Sequence, residues 1–168
     1  MSSLFETERL LVRELKTTDL KFFDELQGNP KVMRFVSSKV GDYKENKQEL
    51  ERLITLYSKT ENDFLILAIE LKSIEELIGT VALVKTDDGD DEIGYRFIER
   101  FWGKGFGKEV VPELIEYCGE LGLTELVAYV SYENKASLKI IEQNGFIYEK
   151  DCFAEDINQL ERKYKLKL

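Results

Sequence analysis

In three segments of this chain, apolar residues recur at the three- and four-residue spacing of an amphipathic helix. The first segment follows the capping pair Thr18-Asp19 and stops at Gly28-Asn29-Pro30. The second extends from about residue 43 to 58. The third follows residue 108 and has the apolar stripe Val110, Leu114, Cys118 and Leu121. Each pattern predicts a helix with one face packed on a core.

A fourth helix is predicted after Asn134, which is a good N-cap residue, and Gly145 is its expected C′ residue. One helix contains an anomaly. Pro112 falls a few residues into the third helical segment, where it would remove a hydrogen bond. We therefore expect that helix either to begin late or to kink.

Between the helices, strand-like composition predicts seven strands, at about 8–15, 64–71, 77–85, 92–98, 126–130, 146–153 and 160–168. The three strands between 64 and 98 are joined by short turns and predict an antiparallel meander. The later order of strand, helix and strand predicts a parallel, right-handed crossover. The predicted fold class is α/β, with a mixed sheet that is antiparallel in its N-terminal part and parallel in its centre, flanked by helices.

Composition narrows this picture. The 168 residues are 43% hydrophobic and contain no linker or repeat, so we expect a single domain over 1–168. There is no apolar run of the ~18 residues that a membrane span needs, and the first residues lack signal-peptide character, so we expect a cytoplasmic protein without a membrane partner. The formal net charge of −9 argues against nucleic-acid binding and favours a cationic partner such as an amine.

The chain contains no histidine. This removes Ser-His-Asp and Cys-His nucleophile activation, the usual zinc ligand sets and the commonest general base. Cys118 and Cys152 are expected to be buried thiols rather than disulfide partners or metal ligands. The acidic run from Asp87 to Glu92 lacks the spacing of an EF-hand, so we predict no metal site. Acid–base chemistry must use Glu, Asp, Tyr, Ser, Lys or water.

The segment from Phe101 to Lys108 reads Phe-Trp-Gly-Lys-Gly-Phe-Gly-Lys and lies between a predicted strand and a predicted helix. Its glycines allow a backbone that turns its N–H groups toward an anion, and the helix adds the positive end of its dipole. This pattern predicts a phosphate cradle. A P-loop needs four residues between its first glycine and Gly-Lys, whereas three separate Gly103 from Gly107. A dinucleotide-binding fingerprint would need its third glycine one place later, which disfavours that alternative.

The motif Trp102-Gly103-Lys104-Gly105-Phe106-Gly107 resembles the pyrophosphate-binding loop of the GNAT acetyltransferases, with Trp102 where Gln or Arg is usual. Three further motifs resemble the branch related to ribosomal-protein alanine N-acetyltransferases. These are Thr7 to Arg13, Glu92-Ile93-Gly94-Tyr95, and Asn134-x-x-Ser137 through to Asn144-Gly145-Phe146. The four motifs span nearly the whole chain in the family's order.

The resemblance implies a fold with splayed central strands and acetyl-CoA as the acetyl donor. Backbone groups of Phe97 and Ile98 would bind the pantetheine arm, as a peptide adds to a sheet edge. The amides from Gly103 to Lys108 (Gly103, Lys104, Gly105, Phe106, Gly107 and Lys108) would bind the pyrophosphate, and Asn134 would also contact coenzyme A. The side chains of Lys104 and Lys108 either add local positive charge or are solvated lysines on an exposed loop.

The implied reaction is direct transfer of acetyl from the thioester to an amine. An amine with a pKa of ~10 is mostly protonated at pH 7, so a base must remove its proton, and the departing thiolate benefits from a proton donor. The resemblance favours Glu92 as the base; Tyr129, Tyr132 and Glu70 are further candidates. Many family members use a Tyr as the donor at the position that Ile141 occupies here. Ser137 is the expected substitute; the alternative is that it serves only as the N3 residue of a capped helix.

The expected acceptor is a protein N-terminus, a polyamine or another small amine, drawn in by the acidic turn. Two alternatives from other classes remain. One is a coenzyme-A-binding or sensing domain without turnover, which the missing Tyr would favour. The other is a dinucleotide-binding domain. Both a monomer and a homodimer fit the sequence.

Overall fold

The computed structural model describes residues 3–168 and contains one eight-stranded mixed sheet flanked by helices. Met1 and Ser2, the start of the segment inspected for a signal peptide, lie outside the described residues. The strands are β1 (Phe5–Glu6), β2 (Leu10–Arg13), β3 (Phe64–Leu71), β4 (Glu76–Lys85), β5 (Asp91–Phe97), β6 (Glu125–Ser131), β7 (Ile147–Ala154) and β8 (Gln159–Lys167). The helices are α1 (Leu20–Gln27), α2 (Pro30–Met33), α3 (Tyr43–Leu56), α4 (Phe106–Glu120) and α5 (Lys135–Gln143).

The sheet order is β1-β2-β3-β4-β5-β6-β8-β7, and every neighbouring pair is antiparallel except β5 and β6, which are parallel. The predicted mixed α/β architecture, with an antiparallel meander followed by a parallel crossover, is therefore confirmed. The parallel pair lies in the middle of the sheet, between two antiparallel halves.

The two faces of the sheet are covered by different helices. Phe97 packs its ring against Phe106 of α4 at a centroid distance of 6.1 Å, whereas its neighbour Arg96 contacts Met33 of α2. Because consecutive strand residues point to opposite faces, α4 lies on one face and α2 on the other. The buried residues form one apolar core that includes Phe23, Leu50, Leu67, Ile78 and Leu114.

The first helix ends at Gln27 with Gly28 as its C-cap, as predicted. Asn29 and Pro30 in addition begin the short helix α2, which was not predicted, with Asn29 Oδ1 accepting a hydrogen bond from Lys31 N at 2.9 Å. The helix after the glycine loop begins at Phe106 and contains Pro112, so the expectation of a late start is wrong. Because proline has no N–H, the carbonyl four residues before Pro112 lacks its helical hydrogen bond. Pro112 is exposed, so this carbonyl lies on the solvent side of α4.

Both cysteines of the chain are free, and Cys118 is fully buried, as expected, whereas Cys152 is only partly buried, so the expectation of a second buried thiol is wrong. Burial raises the pKa of Cys118 to about 12, which makes it an inert thiol at neutral pH. Among residues 3–168, no helix combines the length and the apolar character needed to cross a membrane.

Candidate active site

The parallel strands β5 and β6 are paired only at Glu92 and Val127, and beyond this point they separate. Ile98 N donates to Ile78 O on β4 at 2.8 Å, so alternate residues of β5 bond to β4. The backbone groups of Tyr95 and Phe97 consequently face the opening toward β6. The separated strands form part of a cleft of about 1990 Å³, which is also lined by the glycine loop and by residues of α2, α3 and α5.

The two residues that were expected to bind pantetheine, Phe97 and Ile98, differ in where their backbone groups point. Phe97 faces the opening, whereas both backbone groups of Ile98 are already used, because Ile98 O accepts from Phe101 N at 2.9 Å. Ile98 is also almost fully buried. Along this edge, Tyr95 rather than Ile98 offers a second set of backbone groups to an extended ligand.

The glycine loop has the conformation of an anion cradle. Gly103 and Gly105 have φ angles of +72° and +82°, in the left-handed region that disfavours a Cβ. Among residues 3–168, no acceptor is recorded for the backbone amides of residues 103–108. The last three of these residues, Phe106, Gly107 and Lys108, form the first turn of α4, where the helix dipole adds positive potential. Free amides at this place fit the pyrophosphate of coenzyme A.

A set of side-chain contacts from the turn between β1 and β2 fixes the loop in place. Arg9 Nη1 donates to the carbonyl of Lys104 at 3.1 Å, and Arg9 Nε donates to Glu109 Oε2 at 2.6 Å. Thr7 Oγ1 also donates to Glu109 Oε1, at 2.5 Å. The Arg9 guanidinium lies 4.5 Å from the centroid of the Phe106 ring. Burial would raise the pKa of Glu109, but the hydrogen bonds from Thr7 and Arg9 outweigh it and lower this pKa.

Trp102 closes the end of the opening next to the loop. Its indole Nε1 donates to the carbonyl of Phe97 at 2.8 Å. The residue that stands in place of the usual Gln or Arg therefore still supplies a hydrogen-bond donor to the end of β5. About half of the Trp102 side chain remains exposed, next to the cradle.

The lysines of the loop are exposed. Lys104 Nζ lies 5.1 Å from the centroid of the Phe101 ring, and Lys108 projects from the first turn of α4. Both are placed where they can add charge to the cradle, and the backbone amides remain its main donors.

Ser137 lies in α5 and has two partners. Its backbone N donates to Asn134 Oδ1 at 3.2 Å, so Asn134 is the N-cap that was predicted. Its Oγ accepts a hydrogen bond from Tyr95 of β5 at 3.1 Å. Burial raises the pKa of Tyr95, and the contact with Ser137 offsets this only in part, so the phenol is neutral at pH 7. Ile141 is buried in the core, and a phenol therefore reaches this region from β5 instead of from α5.

Glu92 lies at the point where β5 and β6 meet, and it lines the cleft. Burial, together with the neighbouring charge of Glu161 on β8, raises its pKa to about 7. The pKa of Glu161 is also raised, by burial and by Asp156. A carboxyl group with this pKa exchanges a proton readily near neutral pH, as a general base must.

The other residues considered as bases have structural partners. Glu70 forms an ion pair with the buried Arg13 at 2.6 Å, and Tyr132 OH donates to Asp151 at 2.6 Å. In the acidic turn, Asp90 is paired with Lys163 and Asp91 with Lys85. Tyr129 lies beside Lys163 and lines the cleft without a contact that would make it a base.

Four residues that complete this site had no role in the sequence-based prediction. Tyr95 and Trp102 were quoted as parts of motifs, and Glu161 and Glu109 were given no part in the site. The alternation along β5 carried a signal for Tyr95, because Glu92 and Tyr95 are three residues apart and must face opposite sides of the sheet. No local pattern indicates that the charge of Glu161 acts on Glu92.

Residues 9–147 match the acetyltransferase (GNAT) domain family. This match spans most of the chain, which therefore belongs to the GNAT acetyltransferase family and is an acetyl-CoA-dependent N-acetyltransferase. The recognised family and enzyme class are thus confirmed.

Two kinds of relatives support this placement. The chain is 29% identical over 161 residues to an uncharacterized N-acetyltransferase, p20, of Bacillus licheniformis, covering 93% of this chain and 87% of the relative. The fold is similar to that of the ribosomal L7/L12 α-N-protein acetyltransferase RimL in complex with coenzyme A, with a TM-score of 0.83, 16% identity and coverage of 99% and 98%. It is also similar to the ribosomal-protein-S5-alanine acetyltransferase of Vibrio fischeri, with a TM-score of 0.80, 19% identity and coverage of 99% and 97%.

Proposed function

We propose that this protein, as a single domain, transfers acetyl from acetyl-CoA to a primary amine by direct attack within a ternary complex. The observation that carries the proposal is the placement of acid and base on the two sides of one strand. Glu92 and Tyr95 point to opposite faces of β5, at the opening where the backbone edge is free. A base on the acceptor side and a proton donor on the donor side are what the transfer requires.

The donor side binds acetyl-CoA, which supplies an activated acetyl group as a thioester. The amides of residues 103–108 hold the pyrophosphate. The backbone groups of Tyr95 and the N–H of Phe97, whose carbonyl is taken by Trp102, hold the pantetheine arm. The lysine side chains of the loop and the free amide of Asn134 are available for further contacts with the nucleotide part. Backbone N–H groups at the opening are placed to polarise the thioester carbonyl.

On the acceptor side, Glu92 accepts the proton of the incoming ammonium group. Because its pKa is raised to about 7, both its protonated and its deprotonated form are populated at neutral pH. On the donor side, Ser137 Oγ accepts from Tyr95, so the Ser137 hydroxyl proton is free to be donated to the leaving sulfur. Tyr95 can then restore the proton of Ser137 and take one back from solvent, and the second proton that the nitrogen loses as the amide forms passes to solvent.

The experiment is release of free thiol from acetyl-CoA in the presence of a panel of primary amines and N-terminal peptides. We expect release above the rate without acceptor, and its loss in Glu92→Gln. The acceptor panel includes polyamines, amino acids and the N-terminal peptides of ribosomal proteins, because several proteins of similar fold act on such N-termini. The oligomeric state, monomer or homodimer, is measured on the same samples by light scattering.

The absence of the usual Tyr at Ile141 favours a second candidate, a coenzyme-A-binding domain without turnover. It predicts stabilisation by acetyl-CoA with no thiol release from any amine. Stabilisation by NAD but not by acetyl-CoA would instead support the dinucleotide-binding alternative and would contradict both coenzyme A proposals.

A further inference from the structure

Arg96 is a charged group in the acceptor half of the cleft with no charged partner. It lies on β5 and lines the cleft, together with Met33 of α2 and Glu49 and Arg52 of α3. Its Nε donates to Thr80 Oγ1 at 3.1 Å, and its Nη1 contacts Met33 Sδ at 2.9 Å. Within residues 3–168, no carboxylate lies within 4.0 Å of the guanidinium, and no hydrogen bond is recorded for Nη2.

The neighbouring charges do not neutralise Arg96. Glu49 is the nearest acidic influence, and it is already engaged by Arg52, whose Nε and Nη2 donate to the two carboxylate oxygens at 2.7 and 2.8 Å. Burial lowers the pKa of Arg96 to about 10, although part of the side chain still reaches the solvent of the cleft. A guanidinium that has lost water without gaining an anion carries an energetic cost that a bound anion would relieve.

The sheet surface beside Arg96 leaves room for a ligand. Glu92, Gly94 and Arg96 alternate along one face of β5, so Gly94 separates the base from the arginine. Gly94 pairs with Ala82 on β4, and a Cβ built on Gly94 would meet only the Ala82 Cβ, at 3.8 Å. The floor between Glu92 and Arg96 is therefore made of small residues. Glu92 and Arg96 are four residues apart along the strand, so their Cα atoms are about 13 Å apart.

We infer that the acceptor is an amine that also bears an anionic oxygen group, a carboxylate or a phosphate, which Arg96 binds while Glu92 receives the proton of the amine. Thr80 holds Nε and Met33 contacts Nη1, so Nη2 is the nitrogen left to donate to an oxygen of a carboxylate or phosphate. This inference rests on the proposed function, and it disfavours polyamines among the expected acceptors.

The test compares acceptors in matched pairs that differ only in the anionic group. One pair is an amino acid and its amide, and another is an aminoalkyl phosphate and the corresponding amino alcohol. A series of aminoalkyl carboxylates of increasing chain length is compared with the matching methyl amides. A short peptide is compared with and without an acidic second residue. We expect kcat/KM for the anionic member of at least one pair to exceed that for the neutral member by about tenfold or more, mainly through KM.

The variant Arg96→Met should abolish this preference, and Arg96→Lys should retain a part of it because the charge remains. Thr80→Val removes the partner of Nε and should weaken the preference without removing it. Lys39→Met is the matched control, because Lys39 lines the same cleft but is paired with Glu45, away from Arg96; its preference should equal that of the unmodified protein.

A second readout does not depend on turnover. In the presence of coenzyme A, the anionic acceptor should raise the melting temperature of the unmodified protein, whereas Arg96→Met should not respond. Equal kcat/KM and equal stabilisation for both members of every pair would overturn the inference, as would a preference that survives in Arg96→Met. A different result, the absence of thiol release from every amine, would contradict the proposed function. In that case the thermal measurement still decides whether Arg96 binds an anion.

Discussion

Tyr95 OH donates a hydrogen bond to Ser137 Oγ at 3.1 Å and so joins the central strand β5 to the helix α5 across 42 residues of sequence. The contact places a neutral phenol behind a serine hydroxyl at the edge of the opening. A phenol is thereby available on the donor side even though Ile141, at the family's usual Tyr position, is part of the core.

If Ser137 donates the proton and Tyr95 restores it, the two residues act as one unit. We expect Ser137→Ala to lower kcat by about 10²-fold and Tyr95→Phe by less, with the double variant close to Ser137→Ala alone. The measurement is steady-state kinetics of the four proteins in a double-mutant cycle. Multiplicative effects on kcat would contradict this pairing, and an unchanged affinity for acetyl-CoA in binding measurements serves as the control for folding.

The raised pKa of Glu92 predicts the pH dependence of the reaction. Only the carboxylate form accepts a proton, so kcat/KM should rise with pH through an apparent pKa of about 7. Glu92→Gln should lower kcat/KM by 10²–10⁴-fold and remove this limb of the profile. A variant that keeps both the rate and the limb would show that the base lies elsewhere.

The raised pKa of Glu92 should also make stability depend on pH, in the direction opposite to activity. Because its folded pKa lies above the ordinary 4.5, the folded protein binds more protons than the unfolded chain between pH 4.5 and about 7. The free energy of unfolding should therefore fall as the pH rises through this window, by about 1–3 kcal/mol. Urea unfolding at pH 5 and pH 8 measures the difference, and Glu92→Gln should reduce it.

Glu161 raises the pKa of Glu92 through its charge, and the substitution Glu161→Gln removes that charge while keeping the size of the side chain. The acid limb of the kcat/KM profile should move to lower pH by about half a unit to one unit. Glu149→Gln, an exposed glutamate on β7 beside Lys163 and Lys165, is the matched control and should leave the limb in place.

Arg9 supports the cradle through the carbonyl of Lys104 and through Glu109. Arg9→Ala should raise the KM for acetyl-CoA about tenfold, because the loop amides lose their fixed orientation, while kcat at saturation changes little. Lys47→Ala removes an exposed ion pair with Glu51 on α3, away from the loop, and should leave this KM unchanged. Equal effects of the two variants would indicate a general loss of charge instead of a loss of support.

The sequence predicted those parts of the fold that depend on local pattern. The strand Phe64–Leu71 has the predicted bounds, and the glycine loop and the N-cap Asn134 were recognised from their residue types. Where a signal has two meanings, the prediction was incomplete. Asn29-Pro30 follows the end of α1, as predicted, and in the structure it also begins α2.

The rest of the site depends on contacts between distant residues. Tyr95 and Ser137 are 42 positions apart, and Arg9 and Glu109 are 100 apart, so neither spacing is a local motif. The position of Leu121 illustrates the same limit in the core. It continues the apolar stripe of α4, but it is the C-cap residue, and half of its side chain is exposed because the sheet ends there.

The link from Arg9 to the glycine loop also constrains the order of folding. The cradle gains its support only after the first strands have docked on a helix that begins almost a hundred residues later. Such long-range closure is slow relative to hairpin formation, so the meander should be able to form well before the donor site is complete. A chain that had folded its meander alone would already resemble the native sheet and yet bind acetyl-CoA weakly, and ligand added during refolding should favour the late docking step.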